Sequence, residues 1–285
     1  IGIARLSNNY LVAKLAGGYI ELFRNIPVLL QIFFWYNIFI NIFPHPKKSF
    51  SFFDMAFLNQ RGLYLPKPIL EDGFLLVIIA FVVGIILTVF MKRYFNKKHD
   101  ETGIYTRTLG YSTLLILGLP AIFFLLLGSP LSFDLAVLGK FNLKGGMQVV
   151  PEFIALTFAL SVYTATYIAE AIRSGIEAVD KGQKEAAAAI GLTQTQSLKL
   201  IVLPQALRVA IPPTINQYLN LTKNSSLATA IGYPELMSAF GGTVLNQVGQ
   251  AVEILGMAML VYLFISLCIS FLLNVVNKRM AIPER

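Results

Sequence analysis

Charge and cysteine are what this chain has least of. Only 13% of its 285 residues are charged, while 56% are hydrophobic; a soluble domain carries about 25% charged residues. The shortage is uneven. Apolar residues gather in long blocks almost free of charge, each near the roughly 20 residues that a helix needs to cross a bilayer. Several such blocks would leave a soluble fold without a polar face. The one cysteine, Cys268, lies inside an apolar block, so no disulfide can form within the chain and no cysteine cluster points to a metal. The two histidines, His45 and His99, stand far apart in expected loops and read as solvated residues rather than ligands. No metal site is expected. The chain has no G-x-x-x-x-G-K-S/T loop, so it cannot itself cradle ATP phosphates. The net charge of +8 would suggest nucleic acid in a soluble protein. Here it reads as Lys- and Arg-rich loops on one side of a membrane, with no nucleic-acid partner.

What is there is an all-α membrane protein, read as one transmembrane domain over residues 1–285. Six spans are expected, at about 26–43, 73–91, 109–127, 151–172, 205–224 and 254–275. The fifth is the least apolar, with Pro212, Pro213, Asn216, Gln217, Asn220 and Lys223 in it. Residues 1–25, 92–108, 173–208 and 276–285 hold 16 of the 23 Lys and Arg. The side richer in these residues faces the cytoplasm, so both ends of the chain are placed inside. Residues 44–72 are then outside and read as a folded loop. Residues 225–253, with Gly232, Pro234, Gly241, Gly242 and Gly249, read as a broken external or re-entrant segment, which must line a cavity or pack on protein.

The most informative stretch is the cytoplasmic loop 180–204. Asp180 can cap a first helix with Gln183 at its third position, the alanine run favours helix, and Gly191 suits its end. Thr193 and Gln196 form a second capping box, and Pro204 is expected to bound that second helix. Ala186 to Ala189 would let another backbone approach closely, and Glu185 beside them could meet a cation. The loop is therefore either a docking element or a helical connector without a partner.

Glu185-Ala186-Ala187, Gly191 four residues on, and Ile201-x-Leu203-Pro204 ten residues beyond it resemble the EAA loop of permease subunits in bacterial ATP-binding-cassette importers. Arg24-Asn-Ile-Pro27-Val-Leu-Leu-Gln31, Tyr163-Thr-Ala-Thr-Tyr167-Ile-Ala-Glu170 and Asn220-Leu-Thr-Lys223-Asn-Ser-Ser226 resemble helices of the polar amino acid permeases. The inserted region 44–150, with two extra spans, resembles the larger permeases of general L-amino-acid and glutamate, glutamine, aspartate and asparagine uptake systems. The family core has five helices where four core-like spans are found, so a core helix is expected to precede Ile1.

The resemblance implies a type I importer in a bacterial inner membrane. It implies partners: an ATPase dimer holding ATP and Mg, a second permease (a related, different chain), a periplasmic amino-acid-binding protein and the bilayer. It assigns ATPase coupling to Glu185, Ala186, Ala187, Gly191, Ile201, Leu203 and Pro204, and it makes the chain no enzyme.

Candidate pathway residues are Lys223, Asn216, Gln217, Asn220, Tyr163 and Tyr167. Lys223 would be costly facing lipid; it can meet a solute carboxylate, form a structural pair or snorkel to the interface. Glu170 and Arg173, three apart, read as an intrahelical pair. Ser161, Ala165 and Ala169 form a small ridge suited to close helix packing. Two other classes compete: a secondary active amino acid carrier, which would want paired intramembrane carboxylates, and a membrane enzyme, for which no nucleophile or histidine site is found. Co-purification with an ATPase separates all three.

Overall fold

The computed structural model describes residues 1–7, 9–103, 108–139 and 142–280. Arg107 and residues 281–285, counted above among the cytoplasmic charges, lie outside them. In chain order the helices are α1 (Gly2–Arg5), α2 (Tyr10–Asn25), α3 (Val28–Asn41), α4 (Phe74–Thr102), α5 (Leu109–Leu126), α6 (Pro151–Glu177), α7 (Lys181–Ala189), α8 (Gln194–Ile231), α9 (residues 236–248) and α10 (Ala251–Met280). Eight short strands run from β1 (Phe50–Phe52), β2 (Ala56–Asn59), β3 (Gly62–Leu65) and β4 (Lys67–Leu70) to β5 (Leu131–Asp134), β6 (Val137–Leu138), β7 (Leu143–Lys144) and β8 (Met147–Val149). Among the described residues, five helices are long and apolar enough to cross a membrane: α4, α5, α6, α8 and α10 up to Val275. Where one domain was expected, the chain divides into two compact units. The first is Ile1–His45, Asn59–Gly62 and the chain from Val149 onward; the second is Pro46–Leu58 and Leu63–Gln148.

In the first unit, the expected loop 1–25 is helical instead. Asn9 caps α2, its Oδ1 accepting from the N–H groups of Leu11 (3.0 Å) and Val12 (3.3 Å). Pro27 pushes Ile26 out of the helical region, to φ −92° and ψ 128°, and α2 stops. The chain turns by 102° into α3. Gln31 fixes this corner by donating to the carbonyls of Phe23 (2.7 Å) and Ile26 (3.0 Å), two orphans of the α2 terminus. The expected span 26–43 is thus only the 14-residue α3. At 1.5 Å per residue it covers about 21 Å, short of the roughly 30 Å hydrocarbon core. Only together with α2 does it meet the length and composition of a span.

The second helix of the 180–204 loop does not stop at Pro204 either. It runs on into the fifth span as α8, through a π turn at Leu198–Val202. A π turn at Leu114–Gly118 precedes Pro120 of α5 at the same offset. Proline lacks an N–H and its ring strikes the carbonyl four residues back; a widened turn moves that carbonyl aside, so the helix bends instead of ending.

Helix α6 is the centre of the unit and packs on α1, α2, α3 and most extensively α8. Small residues allow this closeness: a Cβ on Gly175 would stand 2.5 Å from the Ala206 carbonyl oxygen. Ile32, Leu156, Ala159, Leu160, Ala228 and Ile231 form one core, and Ile176, Val179, Val202 and Ala206 a second. Trp35 packs edge-on to Phe158 at 4.5 Å beside the first. Of the expected small ridge, Ala169 is buried while Ser161 stays exposed.

The second unit holds the α4–α5 pair and most of the strands. Its sheet has the order β1-β2-β3-β8, with β1 and β2 antiparallel, and two separate antiparallel ladders pair β4 with β5 and β6 with β7. Tyr64, Ala136 and Leu143 form its small core with Phe57. Strands within 50–70 and 131–149 flank the two inserted helices, so the spans are helical as expected and the departure from an all-α chain is confined to these connecting segments.

Candidate functional site

The 180–204 loop is built by local capping. Asp180 accepts from Gly182 N–H at 2.6 Å. Gln183 does not return to Asp180 as a capping box would; its Oε1 accepts from Gln205 of α8 at 3.5 Å. Helix α7 closes with a Schellman motif: Gly191 N–H donates to Ala188 O (3.0 Å) and Leu192 N–H to Ala187 O (3.1 Å), with Gly191 at φ +79°. The Thr193–Gln196 capping box then opens α8. Ala187 is fully buried, whereas Glu185, Ala186 and Ala189 are exposed on the rest of the short helix. Ile201 and Leu203 are half-buried and Pro204 exposed. The residues of the motif thus share one short α7–π-turn unit, with Glu185 and small side chains outward beside the exposed Lys181 and Lys184.

A second constellation lies along α6. Glu170 is held on both sides: Arg5 of α1 donates to its Oε2 at 2.8 Å, and Arg173 one turn on pairs with Oε1. Arg173 also pairs with Glu177, and Arg5 approaches Glu21 of α2 at 3.6 Å. The intrahelical pair read from spacing is present, but it belongs to a chain of five charges joining α1, α2 and α6. Beside it opens a cavity of about 260 Å³ lined by Arg24, Tyr167, Glu170, Ser174, Pro213 and Gln217 among others. The Arg24 guanidinium lies over the Tyr167 ring, 5.3 Å from its centroid. Among the described residues it has no hydrogen bond or ion pair. Tyr167 and Tyr163 share a hydroxyl hydrogen bond of 2.9 Å.

Of the expected pathway residues, the structure brings Tyr167 and Gln217 into this cavity with Tyr163 adjoining. Asn216, Asn220 and Lys223 are exposed on α8 and do not line it. The cavity can hold a small molecule bearing both charges. A guanidinium without an anion offers a fork to a carboxylate, and Glu170 keeps acceptor positions beyond its two arginines.

Sequence reasoning passed over Arg5, the role of Arg24, and Glu235. Glu235 caps α9, accepting from the N–H groups of Met237 (2.8 Å) and Ser238 (2.6 Å), from Tyr262 of α10 (2.8 Å) and from Thr229. Burial raises its pKa, but these four donors together outweigh burial and hold the carboxyl below its ordinary range. The broken segment 225–253 is therefore tied to α10 by one carboxylate. A Pro-Glu pair at a helix start was its only signal in the sequence.

A family profile described as binding-protein-dependent transport system inner membrane component matches residues 102–282. The chain is 54% identical over its whole length to YhdX of Escherichia coli, covering 72% of that protein. It is 50% identical, again over its whole length, to the general L-amino acid transport system permease protein AapQ of Rhizobium johnstonii, covering 71% of it. The fold matches a crystal structure of an amino acid ABC transporter with histidines at TM-score 0.53 and 18% identity, over 98% of this chain and 81% of that one.

Proposed function

The chain belongs to the family of binding-protein-dependent transport system inner membrane components, and from that premise we propose that it forms one membrane half of an ATP-driven importer of amino acids. The observation that carries this reading is the 260 Å³ cavity, where an unpaired guanidinium and a carboxylate stand together on packed helices. Every free amino acid carries one anionic and one cationic group. Its carboxylate meets Arg24 and its ammonium meets Glu170, while Tyr167 and Gln217 supply polar walls. Arg5 and Arg173 hold the Glu170 carboxylate in place. Lys223, Asn216, Asn220 and Tyr163 mark the route toward this cavity along α8 and α6. The similarity to AapQ supports the solute class.

The chain's part in energy coupling is mechanical. The α7 surface around Glu185 and Ala186, with Ala187, Gly191, Ile201, Leu203 and Pro204 as its frame, docks on a separate ATPase dimer that holds ATP and Mg. Closure of that dimer moves α7, and through the continuous α8 it biases the cavity between two exposures. A periplasmic binding protein supplies the solute, a related second permease completes the pathway, and both ends of the chain face the cytoplasm of a bacterial cell.

Uptake kinetics in vesicles holding the complete complex test the cavity. Loss of a charge-assisted hydrogen bond is worth about 1.5–3 kcal/mol, so Arg24→Gln raises the half-saturating concentration about 10- to 100-fold. It does so for every transported amino acid, since all share the carboxylate. Lys223→Met, measured in parallel, leaves it near the parent value. The reverse pattern moves the carboxylate contact to Lys223 and ends the cavity assignment.

A further inference from the structure

A cleft of about 840 Å³ opens where α1, the last turn of α6, α7 and the first turns of α8 meet. Its walls include the apolar side chains of Leu6, Ile176 and Val202, and two opposite charges stand among them: Glu177 at the end of α6 and Lys184 on α7. Lys184 is exposed and has no hydrogen bond or ion pair among the described residues. Glu177 is paired instead with Arg173.

Arg173 divides its guanidinium. Nη1 meets Glu177, while Nη2 and Nε meet Glu170, Nε at 3.1 Å. Glu170 is a wall of the solute cavity. Glu170, Arg173 and Glu177 are spaced three and four apart, so they follow one face of α6 and join the cleft beside α7 to that cavity. The helix that carries them is fixed against α8 at Gly175, where a Cβ would stand 2.5 Å from the Ala206 carbonyl oxygen. A change of pairing is therefore met by side chains and not by the backbone. The Glu177 side chain is 50% exposed against 21% for Glu170, so Glu177 is the carboxylate free to change partner. An ammonium and a carboxylate attract more strongly as the gap between them narrows and water leaves it.

We propose that Lys184 and Glu177 form a charge-pair switch that links α7 to the solute cavity: closing the cleft brings Lys184 onto Glu177, takes Glu177 from Arg173, and leaves Arg173 to Glu170 alone. An undivided guanidinium neutralises Glu170 more fully, and the solute ammonium is held less tightly. The switch rests on the reading of Glu170 as the ammonium contact and of α7 as the ATPase dock. Both residues act through Arg173 and are positioning residues. The test uses the complete complex, nucleotide-free and trapped with ATP and vanadate. The parent's solute dissociation constant rises about 5- to 150-fold on trapping. Lys184→Gln holds the tight value in both states, Glu177→Gln holds the weak value in both, and the double variant behaves as Glu177→Gln. Lys184→Arg keeps the rise. In a Cys268→Ser background, Ser7→Cys and Ala188→Cys face each other across the cleft. A short bifunctional methanethiosulfonate joins them severalfold faster in the trapped state, and adding Lys184→Gln removes that difference. A parent-like rise in Lys184→Gln, or equal weakening by both single variants, overturns the switch. So does equal crosslinking in the two states. Loss of the ATPase from purified Lys184→Gln complex also overturns it, by placing the lysine's partner on the ATPase. If Glu170→Gln binds solute as the parent does, the cavity assignment is what fails, and the crosslinking rates judge the switch without it.

Discussion

Replacing Gly191 with alanine separates backbone conformation from every other contribution to the α7 loop. Gly191 sits at φ +79°, and nothing lies within 4 Å of where its Cβ would stand. The substitution therefore causes no clash, and its whole effect is the left-handed conformation imposed on an L side chain, about 1–2 kcal/mol. Helix α7 has nine residues, below the roughly 12–15 at which an isolated helix becomes even marginal, so its ends decide whether it stays formed. A loss of about 1–2 kcal/mol raises the frayed population roughly 5- to 30-fold. The amides of Gly191 and Leu192, which donate to Ala188 and Ala187, report it directly: hydrogen exchange of the alanine variant is faster by that factor. Uptake per ATP hydrolysed falls with it if α7 transmits the ATPase motion. Gly191→Asn, which tolerates the left-handed region, recovers most of both. An alanine variant with parent-like exchange and coupling refutes the reasoning. Equal damage from alanine and asparagine would mean that side-chain bulk matters and the backbone angle does not.

Two further outcomes follow from the same geometry. The folded pKa of Glu235 is depressed, so its contribution to stability is present above the ordinary carboxyl range and is lost as pH falls through the lowered value; thermal melting of the complex loses stability in that acid window, and Glu235→Gln flattens the loss while lowering stability near neutrality by about 1–3 kcal/mol, because the amide keeps one acceptor oxygen and turns an NH2 group toward the other pair of donors. Single cysteines at Ser51 and Asn96 in a Cys268→Ser background report topology: an impermeant thiol reagent on intact cells labels position 51 and spares 96, and the opposite pattern inverts the assigned orientation.

What the sequence made legible was local. The spans follow from composition, the ends of α7 follow from Asp180 and Gly191, and the start of α8 follows from Thr193 and Gln196, because caps act within four residues. The Glu170–Arg173 spacing also showed itself, one helical turn being a sequence-level distance. Arg5 did not, since it reaches Glu170 across 165 positions. The α2–α3 corner was hidden for the same reason: Pro27 marks a break, but only the folded Gln31 shows that the chain turns back on itself. Pro204 was read as a stop because a proline removes one hydrogen bond; the π turn that lets the helix continue is a response of the backbone and leaves no residue signature. Glu235 was overlooked because its donors come from three separate elements.

The central claim is tested most directly by accumulation of a labelled amino acid in vesicles holding this chain with its ATPase, its second permease and its binding protein. The account predicts accumulation only when ATP and Mg reach the ATPase side, unaffected by ionophores that collapse proton and sodium gradients. Accumulation that persists without ATP and disappears with the ionophores would contradict it.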